Sequence, residues 1–316
     1  MTLKCSKLTV LLLVLFASSW SMLVQGQVLA DKVSVDKNTF NFYIVSDVGR
    51  NGYYKQKIVA ATMGDLAETI HPKFILASGD TFHYNGVRST SDPLWMSNFE
   101  NVYIHPELLI DWFPVLGNHE YRGNTQAVVD YTNISRRWNM PGRYYTFSRQ
   151  IDKGNSLRVV MIDTPPFIKE YQVLPDQFPD VMKQDTKKQL VWIDSVLTVS
   201  TEKWVIVVGH HPIYSVDTKH DNSVELIAQL DPILRKHHVD FYFAGHIHNA
   251  QHIQKDGMDY IVTTSGSLGY PSSTGPDTKY TNAAEGFTIC SLKDNVFTVI
   301  FVDEKGKELY RYTKTK

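Results

Sequence analysis

The sequence predicts an α/β fold on three observations. Short apolar runs that end in Gly, Asp or Pro alternate with longer amphipathic segments of helical length. Towards the C-terminus, apolar runs follow one another with only turns between them, as in an antiparallel meander. No repeat, heptad run or low-complexity tract points to a solenoid, a coiled coil or a disordered chain.

Taken in order, residues 42–46 form an apolar run that closes on Asp47, and residues 55–70 carry a helical pattern. Further buried strands are expected at 74–77, 113–116, 159–162, 205–208 and 241–244, each closed by a Gly, Asp or similar turn residue. Helices are expected at 183–197 and 224–234. In the first of these Leu190, Ile193 and Leu197 recur at helical spacing and mark a core-facing stripe. Residues 164–184 carry Pro165, Pro166, Pro175 and Pro179, a density that excludes a helix or inner strand, so an exposed surface loop is expected there. Such a loop either overhangs a site or is a tolerated insertion. The meander is expected from runs at 260–264, 287–291 and 297–302.

The N-terminus reads as a secretory signal peptide: Lys4 and Lys7 precede an apolar core from Leu8 to Phe16, and small residues follow. Cleavage is expected near Gly26 or Ala30, which removes Cys5 and leaves residues 31–316 as a single domain with no membrane span. Cys290 is then the sole cysteine, so the exported protein holds together without an internal disulfide; set in an apolar run, that thiol is expected to be buried and inert. A net charge of −1 argues against a nucleic-acid surface. Asn133-Ile134-Ser135 is a glycosylation sequon in a eukaryotic secretory route.

Five short motifs carry the chemistry. They are Asp47-Val48-Gly49, Gly79-Asp80-Thr81-Phe82-His83, Gly117-Asn118-His119-Glu120, Gly209-His210-His211 and Gly245-His246-Ile247-His248, each placed where an apolar run meets a turn. A single Asp or His at such a place is ordinarily a turn residue. Five together supply enough carboxylate, amide and imidazole donors for two metal ions, and a carboxylate can bridge such a pair. Of the adjacent His210 and His211, extended backbone aims only one inward; His210 is the expected ligand, with His211 lining the site or bonding to a neighbour.

These residues resemble the binuclear metallophosphoesterases, and within them the small, mammalian-type purple or tartrate-resistant acid phosphatases. The similarity also runs through Gly79-Asp80-Thr81-Phe82-His83-Tyr84-Asn85-Gly86-Val87 and through Ile134-Ser135-Arg136-Arg137-Trp138-Asn139, and it covers the chain from about Asn41 to about Tyr312. The resemblance implies a four-layer α/β/β/α sandwich, two mixed sheets flanked by helices. It implies one metal held by Asp47, His83 and His248, a second by Asn118, His210 and His246, and Asp80 bridging them. His119 would face the phosphate as a catalytic residue, and His220 falls near a second outer histidine of the family. It implies an iron ion beside a second divalent ion, either iron, zinc or manganese.

One position departs from the family, where His83 stands in place of a metal-binding tyrosine whose phenolate gives the purple colour. A neutral imidazole stabilises a trivalent ion less, so no purple band is expected and the first site should accept divalent iron, zinc or manganese. A register slip that lets Tyr84 ligate instead is disfavoured by side-chain alternation. The expected protein is an exported acid phosphatase, secreted or periplasmic and monomeric, that hydrolyses small phosphate monoesters by metal-activated hydroxide attack. A phosphodiesterase or nucleotidase on the same centre is the alternative, and a non-catalytic binding protein a more distant one.

Overall fold

The computed structural model describes residues 33–217 and 222–316. The expected signal peptide and His220 lie outside the described residues. The strands are β1 (Phe40–Val45), β2 (Ile75–Ala77), β3 (Trp112–Pro114), β4 (Tyr145–Asp152), β5 (Asn155–Met161), β6 (Trp204–Val208) and β7 (Phe241–Ala244). They continue with β8 (Ala250–Lys255), β9 (Met258–Val262), β10 (Thr278–Asn282), β11 (Gly286–Lys293), β12 (Val296–Asp303) and β13 (Glu308–Thr315). The helices are α1 (Gln56–Ile70), α2 (Thr125–Asp130), α3 (Lys169–Gln172), α4 (Thr186–Thr198), α5 (Val224–Gln229) and α6 (Asp231–Lys236).

Two mixed sheets result. One runs β13-β12-β11-β1-β2-β3 and the other β10-β8-β9-β7-β6-β5-β4. Strands β1, β2 and β3 are parallel neighbours, as are β5, β6, β7 and β9. Successive side chains of a strand face opposite ways, and the second sheet shows it directly. Val159, Met161, Ile206, Val208, Phe241 and Phe243 enter the core shared with the first sheet. Their neighbours Val160, Val207, Tyr242 and Ala244 face a second core with Ile193, Leu197, Leu226, Leu230 and Leu234 of the covering helical segments. Both faces of the central strands are therefore apolar, which is why their sequences read as unbroken hydrophobic runs. Aromatic pairs cross between the sheets, Phe74 against Phe147 at 5.6 Å and Phe297 against Phe241 at 4.7 Å. The α/β class and the four-layer sandwich are as expected.

Three expectations change. The segment expected as one helix at 224–234 is two, because Pro232 lacks the N–H that a continuous helix would use, and α6 restarts with it in the first turn. The run at 260–264 does not join the meander: β9 pairs with β7 and β8 in the seven-stranded sheet, and only β11, β12 and β13 form the antiparallel succession. The segment 164–184 is less exposed than its prolines suggested. Phe167, Tyr171, Phe178 and Val181 are buried, and α3 fits one helical turn between the proline pairs.

Candidate metal centre

All five motifs leave the C-terminal ends of parallel strands at one edge of the sandwich: Asp47 after β1, Asp80 after β2, Asn118 after β3, His210 after β6, and His246 with His248 after β7. Each chain must turn sharply there. Asp47, Asp80, His246 and His248 take left-handed backbone, with φ of 53°, 54°, 73° and 57°. L-residues adopt that region at a cost, and such strain concentrates at functional sites. A Cβ on Gly117 would overlap the Asp80 carboxylate, and one on Gly245 would overlap Ser46 and Asp47, so glycine is required for these turns to approach each other.

The donors converge in overlapping clusters. Ligand atoms of Asp47, His83 and His248 lie within 4.8 Å of one another, as do those of Asp47, Asp80 and His210. Asp80 Oδ2 stands 3.3 Å from His210 Nε2, 3.6 Å from His83 Nε2 and 3.9 Å from His119 Nε2. Asn118 Oδ1 is 3.1 Å from both His210 Nε2 and His246 Nδ1, and those two ring nitrogens are 3.3 Å apart.

Backbone carbonyls fix the imidazoles. His83 Nδ1 faces the Gly49 carbonyl at 2.9 Å, His210 Nδ1 that of Ser78 at 2.8 Å, and His248 Nδ1 that of Leu268 at 2.7 Å. A carbonyl only accepts, so Nδ1 carries the proton and the Nε2 lone pair is turned inward. This is the outer-shell arrangement of metal-binding histidines. His83 Nε2 and Asp47 Oδ1 are buried with no hydrogen-bond partner, two lone pairs with nothing to accept from. The donor set of carboxylates, an amide oxygen and imidazoles fits two metal cations, and a binuclear metal centre is what it forms.

The electrostatics of the cluster follow from this packing of carboxylates and imidazoles. Burial alone would raise the Asp80 carboxyl, but the positive charges of His210, His119 and His83 outweigh it and hold it well below the usual carboxylate range. Burial likewise opposes charge on His210, yet the Asp80 carboxylate raises that imidazole to about 9. Burial keeps His83 well below its ordinary value, against the pull of Asp80.

Three residues that the motif reading passed over support the centre. Glu120 is buried and accepts from the N–H groups of Gly117 at 2.6 Å, Asp80 at 2.9 Å and Phe82 at 3.1 Å, tying two ligand loops together. Its place directly after Asn118-His119 was the available signal. Thr164 Oγ1 accepts from the N–H groups of His210 and His211, and nothing in its local sequence announces that role. Arg50, which follows the first motif, lines the cleft.

His119 faces the cleft with its ring 4.0 Å from that of His83, and its Nδ1 bonds the Tyr84 carbonyl at 2.7 Å. His211 is buried and uses its ring nitrogens on Thr164 Oγ1 at 2.9 Å and Tyr171 Oη at 3.0 Å, so it bonds to its neighbours. Tyr84 is 60% exposed while His83 is 3% exposed, so the histidine and not the tyrosine points into the cluster. The cleft above the donors measures about 290 Å³, and Tyr171, Leu174 and Phe178 of the proline-rich segment form one wall.

Residues 40–250 match the family described as calcineurin-like phosphoesterase. The chain is 32% identical over 319 residues to purple acid phosphatase 3 of Arabidopsis thaliana, covering 96% of this chain and 85% of that protein. Tartrate-resistant acid phosphatase type 5 of Sus scrofa is 30% identical over 271 residues, or 80% of this chain and 78% of that one. Among solved structures, GAP50, described as the anchor in the inner membrane complex of Plasmodium, superposes with a TM-score of 0.76 at 25% identity, over 88% of this chain and 89% of that one.

Proposed function

We propose that this chain, which belongs to the calcineurin-like phosphoesterases and within them to the purple acid phosphatase family, is an exported enzyme that hydrolyses small phosphate monoesters. Family membership makes it a metal-dependent phosphatase. The observation that carries the finer reading is the pair of orphaned lone pairs, Asp47 Oδ1 and His83 Nε2, buried among inward-facing imidazoles. Asp47, His83 and His248 would hold one ion, Asn118, His210 and His246 the other, and the Asp80 carboxylate would serve both. An iron ion with iron, zinc or manganese beside it suits these donors. When bound, the two ions supply an activated water and a positive clamp for the phosphate oxygens.

The chain's own residues do the rest. Asp47 and Asp80 stay ionised as ligands, since a proton on either removes a charge partner from the metals. Glu120 holds the Asp80 and Asn118 loops in register. His119, at the mouth of the cluster, stabilises the charge that develops on the phosphate or gives a proton to the departing alcohol. His220 is the proposed second outer histidine. Phe178 and Tyr171 close one side of the cleft and exclude water. Residues 1–30 act as the secretory signal and 31–316 as the catalytic domain. No helix among the described residues is long and apolar enough to cross a membrane.

The retained donor set favours catalysis over an anchoring role of the kind named for GAP50. The test is a comparison of kcat/KM for phenyl phosphate and for its diester, bis-phenyl phosphate, with metal-loaded protein from acid to neutral pH. A monoester preference is expected. Preference for the diester would make the protein a phosphodiesterase, and no hydrolysis of either would remove the enzymatic reading.

A further inference from the structure

One residue of the cleft wall is held by a chain of hydrogen bonds that starts in a ligand loop. Tyr171 belongs to the proline-rich segment and is 6% exposed, and it lines the cleft together with Asp80, Asn118, His119 and His246. Its ring packs against Phe178 with centroids 4.4 Å apart. Its Oη lies 3.0 Å from Nε2 of His211, whose ring is 4.3 Å from that of the proposed ligand His246. The other ring nitrogen of His211, Nδ1, lies 2.9 Å from Thr164 Oγ1.

The protons along this chain can be placed by counting donors. A hydroxyl has one hydrogen and two lone pairs. Thr164 Oγ1 accepts from the N–H groups of His210 at 3.2 Å and His211 at 3.0 Å, so its lone pairs are engaged and its hydrogen goes to His211 Nδ1. The neutral imidazole then carries its proton on Nε2 and donates to Tyr171 Oη. Among the described residues this is the only hydrogen bond at Tyr171 Oη, which leaves the phenol hydrogen for an acceptor in the cleft. Burial, aided by the charges of Asp80 and Glu170 and opposed by Arg122, holds the phenol well above its ordinary value, so the group stays a donor. Of the atoms that a phosphate ester brings into the cleft, its anionic oxygens are the strongest acceptors.

We infer that Tyr171 is a further catalytic residue whose O–H donates to a non-bridging oxygen of the phosphate under attack, and that His211 and Thr164 are positioning residues that fix this donor. This rests on the hydrolytic reading above. The phenol keeps its proton throughout. Its contribution is electrostatic, a preset hydrogen bond that strengthens as negative charge gathers on the phosphoryl oxygens in the transition state.

The test uses metal-loaded protein, with phenyl phosphate as substrate and orthophosphate as calorimetric ligand. Tyr171→Phe keeps the ring against Phe178 and removes only the hydroxyl. It should lower kcat/KM for phenyl phosphate roughly tenfold to a hundredfold and weaken orthophosphate binding about tenfold, with metal content unchanged. His211→Phe should cause much of the same loss, and His211→Gln should recover part of it, because an amide N–H can replace the one on Nε2. The double variant His211→Phe with Tyr171→Phe should lose no more than Tyr171→Phe alone. Wild-type kcat/KM and orthophosphate affinity in Tyr171→Phe overturn the catalytic role, as does a loss that tracks released metal. Losses that add in the double variant overturn the positioning role of His211. Because calorimetry needs no turnover, a protein that hydrolysed nothing would sink the hydrolytic reading while orthophosphate affinity still decided whether Tyr171 holds a phosphoryl oxygen.

Discussion

His83 is the residue expected to stand in place of the family's metal-binding tyrosine, and its surroundings offer one ring atom to the cluster: Nδ1 is bonded to the Gly49 carbonyl and Nε2 is buried without a hydrogen-bond partner. The iron-loaded protein should therefore show no phenolate charge-transfer band, and His83→Tyr should create one in the visible spectrum. A band already present in wild type and lost in Tyr84→Phe would contradict this. His119 lines the open cleft beside the proposed ligands Asp80, Asn118, His246 and His248. If it gives its proton to the leaving group, His119→Asn should lower kcat roughly a hundredfold or more for esters of poorly acidic alcohols and much less for p-nitrophenyl phosphate. An equal loss on both substrates would assign it to phosphate binding alone. At this scale the sequence was most readable, because glycine beside Asp, Asn or His at a strand end is a local pattern. Thr164 and Glu120 were not readable in the same way, since their work is to hold backbone N–H groups that only the folded loops bring near.

Between elements, the strands were legible where both faces are buried. Phe241–Ala244 is apolar throughout and was expected with its observed limits, whereas β4, β10 and β13 mix exposed and half-buried residues and left no continuous apolar run. The joint between β5 and α4 shows a cost that the sequence hides. Asp163 donates its N–H to Gln189 Oε1 at 2.8 Å and its carbonyl accepts from Gln189 Nε2 at 3.0 Å, while its carboxylate accepts the Tyr121 hydroxyl at 2.5 Å. Burial pushes that carboxyl up to about 7, although Arg143 and the Tyr121 hydroxyl act the other way. A proton held more tightly in the fold than in the unfolded chain gives stability that is fully present below about pH 3.8 and lost as pH rises through about 7. Asp163→Asn retains an acceptor for Tyr121 and cannot ionise. Its unfolding free energy should lose that component of the decline towards neutral pH, with a gain near pH 8 of the order of 2–4 kcal/mol. An unchanged slope in denaturant titrations across that range would show the carboxylate to be relieved by another group.

For the whole molecule, the alternation of strand and helix indicated the α/β class, but it could not say which strands share a sheet. Strand β9 follows β8 in a hairpin and yet takes its place beside β7, a choice made by parallel pairing across a crossover and not by any local signal. What the two sheets achieve together is to bring the ends of β1, β2, β3, β6 and β7 to one edge, so that residues from Asp47 to His248 meet within one cleft. Everything proposed about reactivity depends on that meeting being a site for two ions that share Asp80. The direct measurement is metal stoichiometry on folded protein, by elemental analysis and calorimetric titration, with phosphatase activity followed at each occupancy and repeated in Asp80→Asn. Two ions per chain are expected, with activity that rises only as both are taken up, vanishes on chelation, and is lost together with paired binding in Asp80→Asn. A chain that binds one ion or none, or that keeps its turnover after chelation, would contradict the binuclear centre.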